Sequence, residues 1–225
     1  FEISFIVNGG SAINPLVVPY QSNIILNVES IKEGHTFGGW YLDSALMMPF
    51  NYSIMPASNL ELYAKWFVNE YEVTFIDVDV VVKMFDFNQA IDYTPVERIG
   101  YRFIGWFIDE ARTIFAPEVM PAEDLILYSK FEINTYTITY NSNGGTTHAP
   151  LTGNYDTQIV IPTPLKEGHT FMGWFTDVNF TNAFSADRMP AANTTLYAKW
   201  QINTYRISFS TSTTPIQDVV YAFNQ

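Results

Sequence analysis

No cysteine occurs in the chain, which excludes disulfides, zinc–thiolate sites and cysteine nucleophiles together. No apolar run is long enough to cross a bilayer as a helix, and no long amphipathic helical pattern is present. Basic residues are scarce: 11 Lys and Arg stand against 23 Asp and Glu, for a net charge of −12. An acidic chain repels phosphate, so nucleic acid and anionic lipid are disfavoured partners. The three histidines show no His-x-x-x-His or Glu-x-x-His spacing, so neither a metal ligand set nor a general base is indicated. No Gly-x-Ser-x-Gly setting exists, and the glycine-rich spots lack the Lys and helix of a phosphate loop. Catalytic residues, metals and cofactors are therefore not expected.

What is abundant is aromatic: 18 Phe, 14 Tyr and 5 Trp make up 16% of the chain. Many of them recur at fixed places. Gly34-His-Thr-Phe-Gly-Gly-Trp40 returns as Gly100-Tyr-Arg-Phe-Ile-Gly-Trp106 and as Gly168-His-Thr-Phe-Met-Gly-Trp174. The three Trp are 66 and 68 residues apart, the spacing of small tandem domains and longer than a helical solenoid repeat. Repeat 1 covers residues 1–66, repeat 2 residues 71–131, repeat 3 residues 136–200, and a fourth begins at residues 205–225. In the fourth, Phe223-Asn-Gln225 matches Phe87-Asn-Gln89 and the Gly-x-x-Phe-x-Gly-Trp motif and closing strand are missing, so the chain reads as a piece of a longer array, the alternative being that the two leftover strands cap repeat 3.

Each repeat opens with alternation, as in Phe1-Glu-Ile-Ser-Phe5, which places Phe1, Ile3 and Phe5 on one face of a half-buried strand. Asn8-Gly9-Gly10 and Asn143-Gly144-Gly145 are turn signals that tolerate positive φ. A second strand is expected near Leu16 to Leu26 in repeat 1 and Gln158 to Ile161 in repeat 3. Phe37 and Trp40 are three apart, and Gly39 between them suggests a bulge. Each repeat closes on Met-Pro-Ala, a turn, and an apolar strand such as Leu62-Tyr-Ala-Lys-Trp66. Units of this size are near the lower limit for independent folding, and buried rings offset that.

The links Phe67–Glu70, Glu132–Thr135 and Gln201–Thr204 hold no Gly, Pro or Ser run, which favours a stiff, elongated rod. Three units of about 28 Å diameter would span roughly 85 Å in line.

The repeated polar residues have plain readings. Asp43, Asp109 and Asp177, each three after its Trp, close turns more readily than they bind calcium, since no second carboxylate keeps a fixed distance from all three. His35 and His169 align with Tyr101, so the position wants a planar, partly buried ring; His148 stands alone in a loop. Lys65, Lys130 and Lys199 in the closing strand read as solvent-facing guards of a sheet edge. Repeat 2 differs: Ile76-Asp-Val-Asp-Val-Val-Val-Lys83 replaces the Asn-Gly-Gly turn, Phe131 replaces the last Trp, and with its following link (residues 71–135) its net charge is −7. Its first hairpin should differ in shape. Asp77 and Asp79 would point the same way from one strand and are the weak binding candidates of the chain.

The combined pattern Gly-[His/Tyr]-x-Phe-x-Gly-Trp-[Tyr/Phe]-x-x-Asp, Met-Pro-Ala and Leu-Tyr-[Ala/Ser]-Lys-[Trp/Phe] resembles the Listeria–Bacteroides repeat, the internalin B-type B repeat of large bacterial surface proteins. The resemblance implies a β-rich α+β fold of small β-grasp-like, ubiquitin-like units. It also implies an extracellular place on a bacterial surface, in an array between a functional head and an anchor, and it supplies no catalytic residue. The expected role is a non-catalytic stalk or spacer. The alternative is an adhesive module, with repeat 2 contacting a host surface protein, a glycan or another copy of the array, without nucleic acid or membrane insertion.

Overall fold

A computed structural model describes residues 1–210 and 217–224. The part of the fourth repeat at 211–216, and residue 225, lie outside the described residues. The chain divides into two compact units, Phe1–Pro95 with Gly105–Lys130, and Val96–Ile104 with Phe131–Gln225.

Repeat 1 is one four-stranded sheet of β1 (Glu2–Ile6), β2 (Leu16–Val17), β3 (His35–Tyr41) and β4 (Leu60–Val68), in the order β2-β1-β4-β3. The central pair β1–β4 is parallel and the flanking pairs are antiparallel. Repeat 2 has the same order with β5 (Glu70–Ile76), β6 (Val80–Asp86), β7 (Tyr101–Phe107) and β8 (Leu125–Ile133): β6-β5-β8-β7. Repeat 3 follows with β9 (Thr135–Asn141), β10 (Leu151–Asn154), β11 (His169–Phe175) and β12 (Thr194–Ile202), in the order β10-β9-β12-β11. The fourth repeat contributes an antiparallel pair, β13 (Thr204–Ile207) with β14 (Val219–Ala222).

Among the described residues there is no helix, so the architecture is all-β and the α part of the expected α+β class is corrected. The stretches that lead into β3, β7 and β11 explain why. They carry Pro19, Pro95, Pro162 and Pro164 and β-branched residues such as Ile24, Ile25, Val28, Ile159 and Ile161. Pro lacks the helical N–H donor, and β-branched side chains lose rotamer freedom in a helix. These stretches run extended and lay Ile24, Leu26, Val28, Ile159 and Ile161 against the sheet cores. The same stretches account for two strand corrections. In repeat 1 the second strand is Leu16–Val17 only, and in repeat 3 it is Leu151–Asn154, while Gln158 forms a lone bridge to Arg188.

The core repeats in kind. Ile3, Trp40, Met55, Leu62 and Ala64 in repeat 1 correspond to Ile138, Trp174, Met189, Leu196 and Ala198 in repeat 3. Met55, Met120 and Met189 are all buried, so the Met of each Met-Pro-Ala turn is a core residue. Its backbone also holds the turn after the second strand, as where the Gln21 N–H donates to the Met55 carbonyl at 3.1 Å.

The bulge at Gly39 is present. The β3–β4 register shifts between Phe37 and Trp40, and Gly39 has φ of 100°. The extra residue turns Phe37 and Trp40 to one face, with ring centroids 5.3 Å apart, and Phe37 reaches Trp66 at 5.3 Å. Repeat 3 reproduces this with Phe171 at 5.6 Å from Trp174 and 5.4 Å from Trp200. Edge-to-face rings of this kind add about 0.5–1.5 kcal/mol each beyond the area they bury.

Candidate functional site

The feature made most consistently is the joint between successive repeats. The four-residue links of the sequence are mostly strand. Between β4 and β5 only Asn69 is left over, between β8 and β9 only Asn134, and between β12 and β13 only Asn203. Each Asn bonds both ways. The Asn69 N–H donates to the Gly34 carbonyl at 2.9 Å, and the Asn69 carbonyl accepts from the Phe87 N–H at 2.9 Å. The matching pairs are 2.9 and 2.8 Å at Asn134 (Gly100, Tyr155) and 2.8 and 2.9 Å at Asn203 (Gly168, Phe223).

Across the joint, an aromatic ring from the incoming repeat sits on the recurring glycine of the preceding one. A Cβ on Gly34 would lie 2.0 Å from the Phe87 ring, on Gly100 2.0 Å from Tyr155, and on Gly168 2.0 Å from Phe223. All three glycines have positive φ, at 65°, 78° and 69°. Glycine is thus required twice over, by the backbone and by the ring. The neighbouring ring completes the socket: His35 meets Phe87 edge-on at 5.8 Å, Tyr101 meets Tyr155 at 6.1 Å, and His169 meets Phe223 at 6.2 Å. The His35 Nδ1 lies 2.7 Å from the Glu33 carbonyl and the His169 Nδ1 2.8 Å from the Glu167 carbonyl. A carbonyl only accepts, so Nδ1 carries the proton in both. This fits the reading of the position as a planar, half-buried ring.

A sequence model of the Listeria–Bacteroides repeat domain matches residues 1–65, 71–130 and 136–199. The chain belongs to the Listeria–Bacteroides repeat family. It is 37% identical over 223 residues to a "putative Gly-rich membrane protein" of Evansella cellulosilytica, covering 94% of this chain and 26% of that protein. A "putative membrane protein" of the same organism is 35% identical over 219 residues, covering 93% of this chain and 33% of that protein. Internalin H of Listeria monocytogenes is 39% identical over 119 residues, covering 49% of this chain and 21% of internalin H. The chain thus spans about a fifth to a third of the length of these relatives.

Within these Listeria–Bacteroides repeats the recurring Asp is a turn residue. Asp43 accepts from the Met48 N–H at 2.7 Å, Asp109 from the Ile114 N–H at 2.7 Å, and Asp177 from the Asn182 N–H at 2.8 Å. Hydrogen bonds from the Ile114 and then the Thr113 N–H hold Asp109 below the usual carboxylate range, and the Asn182 and Thr181 N–H groups do the same for Asp177. The recurring Lys is not an edge guard, because β4, β8 and β12 lie inside their sheets. Its ammonium lies over rings instead: Lys65 over Tyr41 at 5.0 Å, Lys130 over Phe107 at 5.1 Å and Lys199 over Phe175 at 5.1 Å. Placing a cation on a ring face is favourable by about 0.5–1 kcal/mol even at exposed sites, and these lysines are half-buried. His148 meets the Tyr140 ring edge-on at 6.1 Å.

Repeat 2 departs from its neighbours in a concerted way. In repeat 1 the Asn8 Nδ2 donates to the Ala64 carbonyl at 2.7 Å, and the Trp66 Nε1 donates to the Val7 carbonyl at 2.9 Å. In repeat 3 Asn143 and Trp200 do the same to Ala198 and Ser142, at 2.8 and 2.8 Å. Repeat 2 has Ser129 at the Ala position, buried, and its hydroxyl donates to Asp77 at 2.5 Å. Phe131 replaces the Trp, and the Arg98 guanidinium lies 4.1 Å from its ring centre. Asp77 and Asp79 are not on a strand. They sit in the bend between β5 and β6, where the Asp77 N–H donates to the Asp79 carbonyl at 3.2 Å. Among the described residues no group of three or more His, Asp or Glu is placed to hold a metal. Asp77 is thus tied to Ser129 and Asp79 is exposed.

The hairpin above that bend is the larger difference. β5 and β6 pair over seven residues, against two for β1–β2 and four for β9–β10. Among the described residues no helix is long and apolar enough to cross a membrane.

Proposed function

We propose that this chain is a non-catalytic, semi-rigid spacer segment of a bacterial cell-surface protein, which holds other domains away from the envelope. The observation that carries the proposal is the joint. A one-residue link, two backbone hydrogen bonds and a ring seated on a glycine recur at three places, in forms that differ only in which ring is used. A flexible tether would need none of these groups. The membership in the repeat family and the surface-type names of the relatives support the same reading. The parallel central pair with antiparallel flanks supports a β-grasp-like unit in which an extended segment takes the place of the helix.

Small-angle scattering of the whole chain tests the proposal. Units in line predict a maximum dimension of about 85 Å, and a radius of gyration near 25 Å against roughly 17 Å for a globule of this length. A radius near the globular value, or a flexible-chain profile, refutes the spacer.

A second reading has one observation in its favour. On the outer face of repeat 2, Val80, Val82, Met84 and Ile126 are exposed beside Glu72 and Thr74. Met84 stands where repeat 1 has Val17 and repeat 3 has Thr152, and Ile126 stands where they have Glu61 and Thr195. On this reading repeat 2 is an adhesive face for a host surface protein or glycan. Binding to host cells and a glycan array, lost when repeat 2 is replaced by the sequence of repeat 3, is its test.

A further inference from the structure

The strand β6 is an open sheet edge of an unusual kind. It is the outermost strand of its sheet, and among the described residues no strand pairs with its far side. It reads Val80-Val-Val-Lys-Met-Phe-Asp86, seven residues long, with Val80 63%, Val82 53% and Met84 53% exposed. Long, apolar, exposed edges are templates for another strand, and proteins normally shorten, twist or charge them. The matching strands of the other repeats are short, at two and four residues. Among the three complete repeats, repeat 2 alone has a long edge of this kind.

One device on β6 does oppose pairing. Lys83 pairs with buried Val73, so it points toward the core face, and its ammonium lies 5.5 Å from the centre of the Phe75 ring. An inward-pointing charge on an edge strand repels most incoming strands, which would bury it unpaired. A strand that brings a carboxylate to the place opposite Lys83 removes that penalty. The residue just before β6, Asp79 at the end of the bend, supplies this itself once the ladder is continued by one residue. In an antiparallel pair related by a two-fold axis at Val81, Val81 faces Val81, and Val80 faces Val82. Lys83 then faces Asp79 of the second chain, and Asp79 faces the second chain's Lys83. Directly opposed residues of an antiparallel pair share a face, so both opposite-charge pairs form on the side of Val81. Asp79 is exposed, and its backbone carbonyl accepts from the Asp77 N–H.

We infer that β6 of repeat 2 is a homotypic docking edge, which pairs antiparallel with β6 of a second copy of this chain. The Val80–Val82 stretch provides the contact, and the Asp79–Lys83 pairs set register and choice of partner. Symmetry of this kind is isologous and closes at two chains. The contact is smaller than the roughly 1,200 Å² of a stable interface, so it is weak in dilute solution. On a crowded surface, where linked chains reach effective concentrations of about a millimolar, it would join neighbouring arrays side by side.

The test is a charge swap in the whole 225-residue chain, followed by sedimentation and translational diffusion up to about 1 mM. The unsubstituted chain should dimerise. D79K and K83D each place like charges opposite one another twice, and each alone should weaken association about tenfold or more. An equimolar mixture of D79K and K83D restores both opposite-charge pairs as a heterodimer, and the double variant D79K/K83D restores them as a homodimer. Both should associate to within about threefold of the unsubstituted chain. The proposal is overturned if the unsubstituted chain stays monomeric, if both single variants still dimerise, or if the mixture associates no better than its components. These outcomes are separate from the spacer reading, because the monomeric K83D chain should keep the scattering profile of an elongated molecule.

Discussion

Substituting Gly34 by Ala should loosen the first joint and leave the others intact. The residue has φ of 65°, where an L side chain costs about 1 kcal/mol or more relative to Gly. Its new Cβ would also fall 2.0 Å from Cγ of Phe87, so the ring must leave its seat. Losing the edge-on contact with His35 costs a further 0.5–1.5 kcal/mol or so. The sum is about 2 kcal/mol, equivalent to roughly a 30-fold change in an opening equilibrium. Global unfolding is a poor measure of this, because a chain of tandem repeats does not unfold in two states. Amide hydrogen exchange reads it locally. The N–H of Asn69 donates to Gly34 and the N–H of Phe87 donates to Asn69. Both should exchange about 30-fold faster in G34A, while the equivalent amides of Asn203 and Phe223 keep their native rates. Phe87→Ala should also speed both amides, but G34A on top of F87A should add only the backbone part, about 1 kcal/mol. Native exchange at Asn69 and Phe87 in G34A would refute the socket. So would strictly additive effects in the double variant.

The other predictions concern single contacts. Ser129→Ala should destabilise repeat 2 by about 1–2 kcal/mol, read from the hydrogen exchange of its core amides, since the Asp77 carboxylate loses the Ser129 hydroxyl, and D77V/S129A, which restores the residues of repeat 1, should recover most of the loss. Trp66→Phe removes the indole donor to the Val7 carbonyl and should lower stability by about 1 kcal/mol or more, whereas Phe131→Trp should bring no matching gain because repeat 2 lacks the Asn-Gly-Gly turn that presents the acceptor. Burial pushes the Tyr93 hydroxyl up to about 12, so the folded state holds its proton more tightly than the unfolded chain. Its contribution is complete below pH 10 and is lost as pH rises towards 12, and Y93F should flatten the alkaline limb of a stability–pH profile. Asp109 and Asp177 are shifted the other way by the N–H groups they cap, so their contribution is present above the ordinary Asp range and is lost on acidification, an effect that D109N and D177N should reduce.

Much of the unit could be read from the chain because its signals are local. The alternation of Phe1 to Phe5, the positive φ at Asn8 and Gly9, and the bulge at Gly39 each follow from a few adjacent residues. The Asp that closes a turn acts within five positions of itself. What could not be read depends on partners far away in sequence. Lys65 looked like an edge residue because nothing nearby says that β4 is sandwiched between β1 and β3. Ile159 and Ile161 alternate as a strand would, yet they line a core from an extended segment. The ring sockets were missed for the same reason, although they left a trace. Phe87-Asn-Gln89 recurs as Phe223-Asn-Gln225, and each link keeps an Asn at its third position. Recurrence of residues that no single unit needs is the mark of a contact between units.

That distinction also separates what repeat 2 keeps from what it abandons. It keeps every group of the joints on either side of it: Phe87 on Gly34, and Gly100 with Tyr101 under Tyr155. It replaces nearly everything at its far end, where the Asn-Gly-Gly turn, the indole donor and the buried Ala become Asp77, Phe131 and Ser129. Those replacements compensate one another, so the unit still closes around Leu127 and Met120, both fully buried. The freedom gained is spent on one element, a β5–β6 hairpin seven pairs long with a valine edge. A spacer of identical units has no reason to hold such an edge in one repeat only. A homotypic strand confined to repeat 2 would fix where neighbouring chains meet without letting them zip together along their whole length.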